Sequence, residues 1–153
     1  MPKRSAGILM VRRGRNGLEF LLVHPGGPFW AKKDRGVWSI PKGEYVEPED
    51  PLTVAIREFE EEIGLRPQGD FAPLGEIVQP GRKVVVAWAV EGDFDPAKLK
   101  SNMFELEWPP RSGRGQAFPE VDRADWFSFD TANEKILPAQ RPLLARALET
   151  LSA

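Results

Sequence analysis

The sequence predicts an α/β fold, a mixed β-sheet covered by helices on both sides, and three observations carry that expectation. Two short apolar runs at 5–13 and 19–24 flank an Asn16-Gly17 turn, the pattern of a β-hairpin. A capped amphipathic segment occupies 51–63 and a second helical pattern 138–151. Two strand-like runs at 74–79 and 83–91, the second rich in valine, lie between those helices, so strands and helices interleave along the chain.

In chain order, 5–13 and 19–24 form the hairpin, with 14–17 as its turn. Pro25-Gly26-Gly27-Pro28 breaks the chain; 29–36 reads as loop, and 37–40 as a short strand leading to Gly43. Asp50-Pro51 starts a helix, because the aspartate accepts from free first-turn amides and proline loses nothing by lacking one there. Leu52, Ala55, Ile56, Phe59 and Ile63 recur at three- and four-residue steps as one buried stripe, and Gly64 ends the helix. On that reading the glutamates of 58–62 occupy the face away from the core. The runs 74–79 and 83–91 are strands joined at Pro80-Gly81-Arg82. Residues 93–114 read as a long irregular region, a length often tied to function. Residues 121–127 are a last strand or a turn leading into 130–133. In 138–151, Leu143, Leu144, Ala147, Leu148 and Leu151 face inward. No repeat or linker divides the chain, which is expected to be a single domain over 1–153.

Composition removes several classes of function. A net charge of −2 gives no global basic field for nucleic acid, and the longest apolar runs are far below a membrane span. Cysteine is absent and His24 is the only histidine, which excludes disulfides, thiolate nucleophiles and multi-histidine metal sites. Absence of cysteine and of a secretory apolar stretch fits a cytoplasmic setting. Neither a P-loop nor a dinucleotide-binding glycine fingerprint occurs.

What remains is acidic. On a helix, Glu58 lies beside Glu61 at i+3 and Glu62 at i+4, and like charges at that spacing repel. Such a run is either a solvated face or a site for a cation. Hard divalent ions such as Mg²⁺ take oxygen ligands and share them with substrate phosphates, so metal-assisted phosphate chemistry is the leading expectation.

The spacing around those glutamates resembles the signature of the Nudix hydrolases: glycine, five residues, glutamate, seven residues, then Arg-Glu-apolar-x-Glu-Glu-x-Gly-apolar. Gly43, Glu49, Arg57, Glu58, Phe59, Glu61, Glu62, Gly64 and Leu65 occupy it with every gap in place. Phe59 stands where an aliphatic residue is usual. The resemblance implies an α/β/α sandwich in which this segment forms a loop–helix–loop at one edge of the sheet. It also implies Mg²⁺ as cofactor, with Mn²⁺ as a substitute. Glu58 and Glu62 would be its most direct ligands, with Glu61 beside them and the carbonyl of Gly43 as a further donor. Arg57 would orient the glutamates, and Glu49 would cap the first turn or tie the loop to Arg57.

Neighbouring residues extend that expectation. The Pro41-Lys42-Gly43 lead-in is similar to that of diadenosine polyphosphate and diphosphoinositol polyphosphate hydrolases, and Lys42 is the candidate to neutralise an extra phosphate. Glu120, ahead of Trp126-Phe127, resembles a loop glutamate that serves relatives as general base or second metal ligand, with Asp122, Glu105 and Glu107 as competitors. Trp108 is the candidate to stack a base while Arg111 or Arg114 meets phosphate. Trp30, Trp38, Trp88, Trp126 and His24 are expected as packing residues.

The expected reaction is water attack on a phosphoanhydride of a nucleoside diphosphate linked to another group. Dinucleoside polyphosphates come first as substrates, ahead of nucleoside triphosphates and ADP-ribose. A capped or triphosphorylated RNA end is the one nucleic-acid partner in view. A nucleotide sensor that does not hydrolyse its ligand is the alternative from another class.

Overall fold

A computed structural model describes residues 3–151; residues 1–2 and 152–153 of the expected 1–153 domain lie outside the described residues. The expected hairpin forms β1 (Arg4–Gly14) and β2 (Gly17–Pro25), with Val11 opposite Phe20 and Gly14 opposite Gly17. Gly17 has a φ of 121°, which a side chain disfavours and a tight turn needs. β1 is central. Its other edge pairs in parallel with β5 (Lys83–Glu91) from Arg4–Val84 to Val11–Glu91, and β4 (Ala72–Gln79) lies antiparallel outside β5. β8 (Val121–Ser128) pairs antiparallel with β2, so the order is β4-β5-β1-β2-β8.

The edge of β1 that meets β2 is shared. Its second half pairs with β2, while Arg4 to Gly7 pair with β3 (Lys42–Tyr45). β2 and β3 therefore diverge, and the segment before β3 fills the wedge: the Ile8 amide donates to the Pro41 carbonyl at 3.1 Å, and Val23 and Ser39 exchange both backbone bonds. Residues 37–40 are not the short strand expected of them. They make two isolated bridges, to Val23 and to Ile136, while the true strand begins at Lys42. Ordered crevices form where neighbouring strands part, as between the two halves of doubly wound sheets.

The sheet has a core on each face. α1 (Pro51–Ile63) packs Val54, Ala55, Phe59 and Ile63 against Ile8, Met10, Leu21 and Val23. On the other face α2 (Phe129–Lys135) and α3 (Arg141–Leu151) bring Ala132, Leu143, Leu144 and Ala147 against Leu9, Val11, Phe20 and Leu22. The side-chain alternation of β1 and β2 serves both cores, which is why these strands read as nearly continuous apolar runs. Gln140 is fully buried between them: its Oε1 accepts from the Ile40 amide at 3.0 Å, and its Nε2 donates to Ser39 Oγ at 2.9 Å and Gln79 Oε1 at 2.8 Å.

Four expectations need correcting. The interval 93–114 is only partly irregular: after a 3₁₀ turn at Pro96–Lys98 it forms β6 (Met103–Glu107), which pairs with β7 (Gly115–Pro119) as a separate two-stranded sheet. Exposed alternate residues and a connection broken by Pro109-Pro110 hide that pairing from a hydrophobicity pattern. The helix expected over 138–151 starts as a 3₁₀ turn at Pro138–Gln140 before α3. The glutamate face of α1 is not opposite the core, because Glu62 is only 9% exposed and lies within the buried stripe, while Leu52 and Ile56 sit at its margin. Trp30 is not a packing residue of the core either; it is 40% exposed, on the loop after β2. No helix among the described residues is long and apolar enough to cross a membrane.

Candidate active site

α1 starts where Asp50 accepts from the Thr53 amide at 3.0 Å and ends at Gly64, whose φ of 91° is the left-handed terminus expected of it. Both ends are thereby fixed, and the phase of the helix decides where each glutamate points. Glu62 turns inward beneath β3, where its Oε2 accepts from the Lys42 amide at 3.1 Å. Glu58 turns toward Gly43. A Cβ built on Gly43 would lie 2.1 Å from the Glu58 carboxyl carbon, so glycine at 43 leaves the space the carboxylate occupies. Glu61 is half-exposed on the next position of the helix.

Arg57 supplies the counter-charge. Its guanidinium is 3.6 Å from Glu49, 3.7 Å from Glu58 and 3.9 Å from Glu61. Glu49 also accepts from the Val46 amide at 3.0 Å, so it ties the loop before α1 to Arg57. None of these ion pairs is closely hydrogen-bonded, and Arg57 is half-exposed, so they hold position more than they contribute stability.

The electrostatics are strained in one direction. Burial pushes the Glu62 carboxyl well above the ordinary carboxylate range, the Glu58 charge pushes it further, and the Lys42 amide and ammonium oppose the shift. Burial also raises Glu58, with Glu61 adding to it and Arg57 opposing. Glu120 is raised by burial and by Glu61. Lys42 shifts the other way, lowered mainly by burial despite the nearby Glu62. Carboxylates and an ammonium are thus held together with too little water to solvate them.

A cavity of about 260 Å³ opens in the wedge between β2 and β3. Lys42, Glu62 and Glu120 line it, together with the apolar side chains of Val23, Val37, Ile40, Val121 and Leu137 and with Trp30. The loop that carries Trp30 is fastened to the Glu120 segment. The Gly26 amide donates to the Glu120 carbonyl at 2.9 Å, and a Cβ on Gly26 would fall 1.9 Å from the Pro119 carbonyl oxygen, so only glycine permits this approach. Fully buried His24 reinforces it: Nδ1 lies 2.7 Å from Asp122 Oδ1, Nε2 lies 2.6 Å from the Lys33 carbonyl, and its ring meets Trp38 edge-on.

Lys42, Glu62 and Glu120 are therefore brought to one cavity, with Gly43, Glu58, Glu61 and Arg57 adjoining through α1 and β3. Trp108 and Arg111 lie just beyond β6, outside that cavity's lining, and the Trp108 ring packs edge-on against Phe29 at 5.4 Å. Of the other carboxylates, Asp122 is engaged by His24, and Glu107 accepts from the Arg111 amide at 2.7 Å. Sequence reasoning missed Trp30, Gly26 and Gln140. Phe29-Trp30 directly after Pro25-Gly26-Gly27-Pro28 was the available signal for the first two; nothing local to Gln140 distinguishes it.

The donor set fits a divalent cation of the Mg²⁺ kind. It is all oxygen, two of its carboxylates are desolvated and repelling, and Gly43 keeps the backbone open beside Glu58. Among the described residues no three acidic or histidine side chains converge closely enough to enclose an ion by themselves.

Known proteins resemble this chain in sequence and in fold. The family model described as NUDIX domain matches residues 1–147. The RNA pyrophosphohydrolase of Rhodospirillum rubrum is 28% identical over 148 residues, covering 90% of this chain and 87% of that protein. A C. elegans Ap4A hydrolase, solved as a binary complex, superposes with a TM-score of 0.68 at 20% identity, over 97% of this chain and 98% of that one. The NUDIX domain of Shewanella oneidensis NrtR, complexed with ADP ribose, gives a TM-score of 0.65 at 17% identity, over 99% and 89%. At such identities the two structures establish likeness of fold, and the match of the family model over nearly the whole chain establishes membership: the chain belongs to the Nudix family, and is a hydrolase of pyrophosphate bonds.

Proposed function

We propose that this chain is a Mg²⁺-dependent pyrophosphohydrolase of nucleotides, cutting a phosphoanhydride bond in a nucleoside diphosphate linked to a further group, with dinucleoside polyphosphates first among its substrates. The observation that carries this reading is Lys42, a half-buried lysine lining the same cavity as Glu62 and Glu120. An ammonium held there suits a phosphate chain longer than the carboxylate-bound cations neutralise alone.

Glu58 and Glu62, flanked by Glu61 and the Gly43 carbonyl, would hold the metal. When bound there, Mg²⁺ would supply Lewis acidity, acidifying water and offsetting charge that develops on the phosphates. The remaining work falls to the chain. Arg57 keeps Glu58 and Glu61 in place, and Glu120 takes a proton from the attacking water as its oxygen bonds to phosphorus. The bridging P–O bond breaks, and the departing phosphate leaves with the electron pair of that bond. Lys42 pairs with a phosphate oxygen beyond the cleaved bond. Catalysis rests on position and electrostatics, without a covalent enzyme intermediate.

Removal of pyrophosphate from the 5′ end of RNA is a second reading, favoured by the similarity to the Rhodospirillum rubrum RNA pyrophosphohydrolase. A panel of dinucleoside polyphosphates, nucleoside triphosphates, ADP-ribose and 5′-triphosphorylated RNA, with and without Mg²⁺, tests both. Release of nucleoside phosphates from dinucleoside polyphosphates only with Mg²⁺ is the expected result. Preferred turnover of RNA ends selects the second reading, and tight binding of one compound with no cleavage of any would make the protein a sensor.

A further inference from the structure

We propose that Trp30 is the platform on which the substrate's nucleobase stacks, with the ring system lying in the cavity that Lys42, Glu62 and Glu120 line. The identity of those charged groups as a phosphate site rests on the function proposed above; recognition of the base is new to it.

The cavity has two chemistries. Lys42, Glu62 and Glu120 line it close enough for Glu62 to interact with both of the others, and the rest of its lining is mainly apolar, with Trp30 in it. A nucleotide has the same division, a planar aromatic ring at one end and phosphates at the other. Size narrows the match further. About 260 Å³ falls below the ~300–1,000 Å³ of sites for drug-sized ligands, which suits part of a dinucleotide rather than the whole of it.

Trp30 is also held in an exposed position. It remains 40% exposed, whereas Trp38 is buried and Trp88, Trp108 and Trp126 are partly covered. The loop around it is pinned at several points: the Lys33 amide donates to the Trp30 carbonyl at 2.9 Å, His24 meets the Lys33 carbonyl, and the Trp38 indole donates to Asp34 at 2.8 Å. Phe29 next to it is buttressed edge-on by Trp108. An aromatic face held in place before ligand arrives loses little entropy on binding. The Lys33 ammonium lies over one face of the Trp30 ring, 5.2 Å from its centroid, and helps to hold the indole in place. In this arrangement Trp108 supports the loop, and Trp30 meets the base.

Calorimetric titration of the full-length protein in Mg²⁺ with AMP, GMP and ribose 5-phosphate tests the proposal, using wild type, Trp30→Ala and Trp30→Phe. Trp30→Ala should weaken AMP and GMP about 10- to 100-fold and leave ribose 5-phosphate unchanged, because stacking acts only on the base. Trp30→Phe should retain most of the nucleotide affinity, which separates stacking from loop collapse. Equal loss for nucleotide and sugar phosphate, no loss for nucleotide, or no binding of AMP or GMP by wild type would each overturn it. Failure of the hydrolysis panel with this binding pattern intact would remove the pyrophosphohydrolase reading and leave the base platform standing.

Discussion

Glu62 shows how one residue position can serve chemistry at the expense of stability. Its carboxylate is buried near Glu58 and receives a single amide hydrogen bond. Replacing it with glutamine removes the charge and keeps the shape. Glu62→Gln is therefore expected to melt higher than wild type without Mg²⁺, to lose most of the Mg²⁺-dependent rise in melting temperature, and to lower kcat by about 10²-fold or more. Calorimetry with and without Mg²⁺, alongside a turnover assay, checks all three; a metal-free melting temperature below wild type would contradict the desolvation account. Gly26→Ala tests a different contact. Its methyl would sit 1.9 Å from the Pro119 carbonyl oxygen and force the Trp30 loop away from Glu120. A displacement of that order costs about 10²-fold in turnover when it moves a reacting group. The glycine–glutamate spacing was legible at this scale because it lies within one continuous segment. The burial of Glu62 was not, because β3 and the Lys42 amide cover it from a segment twenty residues earlier in the chain.

At the scale of elements, the segment 38–40 is secured from three sides, and Gln140 is its deepest anchor. Gln140→Leu should leave the buried Ile40 amide without its acceptor and destabilise the fold by about 1–3 kcal/mol, measurable as a lower urea midpoint at unchanged slope. Asp34 anchors the same region through Trp38 and Lys135. Its carboxyl lies below the usual range because Lys135 hydrogen-bonds the charged form, with Trp38 assisting. A lowered folded-state pKa adds stability that is present above the unfolded value and is lost as pH falls through the folded one. The gap in melting temperature between wild type and Asp34→Asn should therefore be open at neutral pH and close in acid; a gap constant across that range would rule out the ion pair as its source. The hairpin, α1 and α3 were readable because each carries its own periodicity and turn chemistry. β6 and β7 were not, since both are short and largely exposed, and their one apolar face, Phe104 and Leu106 with Phe118 opposite, is too small to announce itself.

For the whole molecule, α/β class and layer order were legible from alternating strand and helix patterns, whereas the divided edge of β1 was not. No local signal states that a strand will give half its edge to β2 and half to β3, yet that division opens the wedge in which Lys42, Glu62, Glu120 and Trp30 meet. The other edge of β1 bears on how the protein is made. β1 and β2 are adjacent in sequence, but the parallel partner of β1 does not begin until Lys83. A ribosome delivers the hairpin early and its missing neighbour only after β3, α1 and β4 have emerged. Throughout that interval a bare ladder of leucine, methionine and valine backbone is open to strands from other chains. Translation interrupted before Lys83 should thus yield fragments prone to aggregate, while those extending past Glu91 close the edge from within.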